Sequence, residues 1–159
     1  MLNRLQDVFR SFQQNEVKYV VIGGIAAILH GIPRATFDLD ILIEATADNA
    51  ERLLKALQDA GLATASLTTV ENLLGNEITV FSDRVRIDVQ TSTPGVEFSD
   101  AWARRQTVDY HGQRFHILCK EDLISSKKAS GRDVDLEDVR LLQLPAPGHN
   151  AQPAPQADS

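Results

Sequence analysis

The chain has a single cysteine among its 159 residues, which leaves no disulfide framework and no cysteine zinc centre. That residue, Cys119, lies in the run HILC and reads as a small core residue rather than a nucleophile. Long apolar runs are also missing, and none approaches the ~18 residues that a membrane-spanning helix needs. The opening stretch MLNRLQDVFRSF lacks the continuous apolar segment and small-residue cleavage site of a secretion signal. The expectation is therefore a cytoplasmic protein with no membrane partner. Basic residues are in the minority, 16 Lys and Arg against 22 Asp and Glu, for a formal charge of −6. This argues against a protein that coats nucleic acid non-specifically, because such binding needs Lys and Arg to neutralise phosphates. A local basic patch remains compatible with the count.

What is present suits one folded domain. Hydrophobic residues make up 43% of the chain and charged residues 24%, enough apolar surface for a core and an ordinary soluble exterior. Leu2, Leu5, Val8, Phe9 and Phe12 recur at helical spacing. VKYVVIGG then reads as a buried strand stopped by a tight turn, IAAILHG as a short apolar helix, and FDLDILIE as a second strand. ADNAERLLKALQDAG has the pattern of a surface helix. NEITVF and VRIDVQ, separated by Ser82, Asp83 and Arg84, suggest a hairpin. FSDAWARR reads as a short helix, and TVDYHGQRFHIL as two strands around His111 and Gly112. KEDLISSKKASG places acids in its first turn and lysines in its last, as the helix dipole favours, and DVDLEDVRLLQL is the final helix. The expected fold is α+β, a mixed sheet flanked by helices, in one domain over 1–144. Residues 145–159, rich in Pro, Ala and Gln, read as a disordered tail.

Chemistry concentrates between Tyr19 and Glu44. Gly23 and Gly24 close the first strand where a helix begins, a turn that lets an anion approach backbone N–H groups. By itself a Gly-Gly pair is more often only a tight turn. Asp38 and Asp40 are two residues apart, so on a strand both carboxylates leave the same face, while Leu39, Ile41 and Ile43 leave the other. Two such charges within an apolar strand are costly unless a cation lies between them. Mg²⁺, or equally Mn²⁺, takes oxygen ligands and is held by one or two carboxylates plus substrate phosphates. The bland alternative is a solvated strand edge. In VRIDVQ, Asp88 shares the polar face of a neighbouring strand and is the candidate third carboxylate, with Asp83 in the turn as competitor. Three acids would complete a two-metal site.

The order hydrophobic-Gly23-Gly24, thirteen intervening residues, then Asp38-Leu39-Asp40-Ile41 resembles the signature of the polymerase-β-like nucleotidyltransferase superfamily. Arg34, Thr36, Asp38 and Asp40 at alternate positions are similar to the AbiEii/AbiGii toxin branch and small stand-alone transferases, as is the later DLISSKKASGRDVDLEDVRLL. That later stretch supplies Asp122, Leu123, Lys127, Gly131, Arg132, Asp135 and Asp138, and the resemblance spans roughly 17–142. It implies that Gly23 and Gly24 hold a triphosphate and that Asp38 and Asp40 bind both metals. Asp88 would bind the second metal and help to deprotonate the attacking hydroxyl. Lys127 would neutralise triphosphate charge, with its neighbour Lys128 as the alternative contact. Arg34 and Thr36 would touch phosphate or order the loop, and Arg132 would pair with Asp135 or Asp138. The implied acceptor is a tRNA or other RNA, a small molecule or a protein hydroxyl, and the implied partners are an antitoxin or a second copy of the chain.

Competing readings are fewer. A haloacid-dehalogenase-like phosphatase also carries Asp-x-Asp after a strand, but it leaves the Gly-Gly turn unexplained and has Thr or Val where Leu42 stands. A catalytically degenerate domain acting as a nucleotide-binding or regulatory partner is the non-enzymatic alternative. His30, His111, His116 and His149 show no metal-ligand spacing, and Phe98 with Trp102 reads as packing. Arg104 and Arg105 read as a solvated face.

Overall fold

A computed structural model describes residues 2–36 and 38–145, so the expected tail lies, apart from Pro145, outside the described residues. The elements run α1 (Leu2–Gln14), β1 (Tyr19–Ile22), α2 (Gly23–Leu29), β2 (Asp38–Ile43), α3 (Ala47–Asp59) and α4 (Val70–Leu74). They continue with β3 (Ile78–Ser82), β4 (Arg86–Gln90), α5 (Phe98–Ala103), β5 (Gln106–Tyr110), β6 (Gln113–Ile117), α6 (Lys120–Ser130) and α7 (Asp133–Leu142). A 3₁₀ turn at Ala63–Leu67 and the short α4 fill the stretch after α3, where the apolar residues are too few to show a period. No helix among the described residues is long and apolar enough to cross a membrane.

The strands form one six-stranded sheet in the order β3-β4-β2-β1-β6-β5. β1 runs antiparallel to β2 and parallel to β6, and β2 runs parallel to β4. The α+β class and the mixed sheet flanked by helices agree with the sequence pattern. Val21 pairs with Ile41 and with Ile117, which puts Tyr19, Val21, Ile41, Ile43, Phe115 and Ile117 on one face. α1 covers that face: Phe9 stacks on Phe115 with ring centroids 4.2 Å apart and interplanar angle 9°. Leu5, Val8, Phe9 and Phe12 are all buried there, each contributing about 1.5–3 kcal/mol by leaving water.

Asn49 fastens α3 to the sheet from inside the core. Its side chain accepts from the Lys18 backbone N–H at 2.8 Å and donates to the Lys18 and Glu44 carbonyls, both at 2.9 Å. Thr46 caps the same helix by accepting from the Asn49 N–H. At the other end of the chain, α6 stops at Gly131, whose φ of 69° is the left-handed conformation that closes a helix. That stop turns α7 back against α6.

Candidate active site

Asp40 pairs in register with Ile22 on one side and with Asp88 on the other, and Asp38 stands opposite Arg86. Asp38, Asp40 and Asp88 therefore share the sheet face turned away from α1, as the alternation in DLDILI and RIDVQ predicts. The turn after β1 comes directly over Asp40. Gly23 has φ +67°, and a Cβ placed there would stand 2.4 Å from Asp40 Oδ2, closer than any side chain tolerates. Gly24 serves a different purpose, because its missing Cβ makes room for the Thr36 methyl, 3.2 Å from where the carbon would be.

Of the three acids, Asp40 alone has no cationic side chain within ion-pair distance among the described residues. Burial first, then the charge of Asp88 and the contact with it, then Asp38, raise the Asp40 pKa from 3.8 to about 7. Arg86 opposes this without cancelling it. Its guanidinium Nε lies 2.9 Å from Asp88 Oδ1 and 3.9 Å from Asp38 Oδ2, bridging the outer pair. As the side chains stand, no group of three His, Cys, Asp or Glu among the described residues is close enough together to hold an ion. The donor chemistry nonetheless fits a divalent cation: three carboxylates on one face, one of them with its pKa raised by burial and by its acidic neighbours, and a bridging guanidinium already standing in for positive charge. Asp83 is elsewhere, in the β3–β4 turn, accepting from the Arg84 and Thr64 N–H groups.

A cavity of about 300 Å³ opens beside Gly23 and Asp40, roofed by α6. Lys127 lines it, and Lys128 is exposed outside it. The Lys127 amine is buried 2.8 Å from Asp138 Oδ2 and 3.7 Å from Asp135 Oδ1, the nearer contact being an ion pair rather than a well-directed hydrogen bond. Arg34 holds the other Asp138 oxygen at 2.7 Å and does not line the cavity. Thr36 accepts from the Asp38 N–H at 3.4 Å, so both residues order the approach to β2. Arg132 grips Asp135 with two hydrogen bonds, 2.7 and 3.1 Å, and also lines the cavity.

Sequence reading passed over Gln90, Ser126 and Ser130, which share the cavity wall. The signals were present. Gln90 follows Asp88 by two on the same strand face, and Leu123, Ser126, Lys127 and Ser130 have the 3–4 spacing of one helix face. His30 is structural, its Nε2 lying 2.7 Å from the Leu118 carbonyl oxygen. His111 sits at the β5–β6 turn, and His149 lies outside the described residues. Arg104 is bound to buried Asp122 by two hydrogen bonds, so only part of the Arg104-Arg105 pair is a solvated face.

Compared with known proteins, residues 2–145 match the model of a family described as nucleotidyltransferases of unknown function (DUF6036). No curated protein matches the chain.

Proposed function

The chain belongs to that nucleotidyltransferase family, and on this premise we propose that it moves a nucleoside monophosphate from a nucleoside triphosphate to an acceptor hydroxyl. The observation carrying this reading is the placement of Asp38, Asp40 and Asp88 on one sheet face, with Asp40 directly beneath the Gly23 turn. Bound Mg²⁺ or Mn²⁺ would supply charge neutralisation at the phosphates and lower the pKa of the attacking hydroxyl. Asp38, Asp40 and Asp88 would hold it. The turn at Gly23 and Gly24 presents backbone to the triphosphate, and Lys127, fixed by Asp135 and Asp138, adds positive charge on the α6 side. The acceptor oxygen forms a bond to the α-phosphorus as the bond from that phosphorus to the bridging oxygen breaks. Pyrophosphate leaves with the electron pair, and the hydroxyl proton passes to Asp88. Positioning and electrostatics supply most of the acceleration in this chemistry.

Similarity of the motifs to the toxin branch supports an RNA end as acceptor and an antitoxin as partner. A small molecule or a protein hydroxyl is the other acceptor class. One observation favours the degenerate, partner-binding reading: Arg86 already bridges Asp88 and Asp38. Label transfer from each α-labelled nucleoside triphosphate, with Mg²⁺, into RNA, proteins and small molecules decides between them. Transfer by the wild type that vanishes in folded Asp38→Asn and Asp40→Asn proteins supports the enzyme and names the acceptor. Absence of both transfer and Mg²⁺-dependent triphosphate binding leaves the partner-binding reading.

A further inference from the structure

Another cavity lies away from the acids, at the opposite end of β1. It measures about 520 Å³ and is lined by Lys18, Trp102, Arg105, Arg114 and His116, among others. Arg114 and His116 alternate with Phe115 and Ile117, so they leave β6 on the same sheet face as Asp40.

Its charge is unusual for so acidic a chain. Arg10, Arg34, Arg52, Arg86, Arg104, Arg132 and Arg140 all pair with carboxylates. Arg4 and Arg84 bind backbone carbonyls instead, and among the described residues neither Arg105 nor Arg114 has a carboxylate within ion-pair distance. Arg105 donates only to the Trp102 carbonyl, at 2.7 Å, and its buried Nε has no partner among the described residues. Lys18 reaches Glu44 only at 3.8 Å, and the exposed Glu16 is the one carboxylate among the lining residues. Three cationic side chains thus face a cavity large enough for a small ligand.

The cavity also offers planes. The Arg105 guanidinium carbon sits 3.8 Å from the Trp102 ring centroid, and the His116 ring meets the same indole edge-on at 5.3 Å. Trp102 packs on Phe98, as the sequence suggests, but it also carries this stacked guanidinium into the cavity wall. A guanidinium plane backed by an indole stacks on a nucleobase, while Arg114, with Lys18 held only loosely by Glu44, binds its phosphate.

We infer that this cavity is a second nucleotide site, distinct from the acid-lined one, which takes the phosphate and base of a nucleotide unit. The source is an RNA strand lying along the sheet face toward the acids, or a free nucleotide. The strand assignment rests on the transferase reading, and the binding itself does not.

Trp102 is the only tryptophan of the chain, so intrinsic fluorescence reports on this cavity directly. Titration with AMP, ribose 5-phosphate and a short single-stranded oligoadenylate is the test. AMP and the oligoadenylate are expected to give saturable changes, with ribose 5-phosphate at least about fivefold weaker because it cannot stack. Arg114→Gln and Lys18→Gln, both at accessible positions, each weaken AMP by about fivefold or more. Asp40→Asn leaves the titration unchanged, which separates this site from the proposed catalytic one. Tighter binding of oligoadenylate than AMP assigns the site to an acceptor strand, and equal binding assigns it to a free nucleotide. The inference is overturned by no saturable change, by ribose 5-phosphate matching AMP, or by undiminished binding in both variants. Label transfer that persists alongside such a failure would leave the catalytic reading standing.

Discussion

The Oδ2 atom of Asp40 lies 2.4 Å from the point where a Cβ on Gly23 would stand. The backbone turn and the carboxylate beneath it occupy one space, and only a residue without a side chain permits it. Gly23→Ala meets two obstacles, a left-handed φ that costs about 1–2 kcal/mol and an oxygen that must be pushed aside. The expected result is a modest fall in Tm with label transfer reduced by about 10²-fold or more, the scale of losing one preorganised contact. A Gly23→Ala protein with wild-type transfer would show that the turn and Asp40 act separately.

Asp40 ties the stability of the metal-free protein to pH. Its folded pKa of about 7 stands above the unfolded value of 3.8, so the folded state holds the proton more tightly. That contribution is fully present below about pH 4 and is lost as pH rises through 7, by on the order of 2–4 kcal/mol. Urea midpoints taken with a chelator at pH 5 and pH 8 should therefore fall with rising pH, and in Asp40→Asn this component should disappear. Equal slopes in the two proteins would place the titrating group elsewhere.

On the proposed reading, a divalent cation would compete with Arg86 for the oxygens of Asp38 and Asp88 that Arg86 already approaches. Removing the guanidinium as Arg86→Gln leaves the acids less compensated, so the metal-free Tm is expected to drop. The rise in Tm on adding Mg²⁺ or Mn²⁺ should then exceed that of the wild type, because binding no longer displaces an internal partner. A smaller rise would mean that Arg86 assists cation binding instead.

Two ion pairs on α7 should differ widely in weight. Asp138 is buried between Lys127 and Arg34, and Asp138→Ala leaves Arg34 without a carboxylate and the buried Lys127 with only the longer contact to Asp135, for about 3–5 kcal/mol. The Arg140–Glu137 pair is solvated on both sides and screened, so Arg140→Ala should barely move the urea midpoint. Similar losses from the two substitutions would contradict the burial described for Asp138.

Alternation and punctuation made most of this molecule legible from its residues alone. Asp38-x-Asp40 within an apolar strand, and Asp88 within VRIDVQ, announced a shared polar face because strand side chains alternate whatever surrounds them. Gly23 declared a turn for an equally local reason. Pairing across the sheet was not local. Only the fold decided that β4 lies beside β2, that Arg86 reaches across to Asp38, and that Asp135 and Asp138 hold Lys127 rather than leaving it to solvent. Only the fold stacked Arg105 on Trp102 within one cavity shared with Lys18, because that meeting depends on β6 docking beside β1. Local rules act over a few residues and survive in the sequence, whereas contacts between distant segments are set by which surfaces the core buries together.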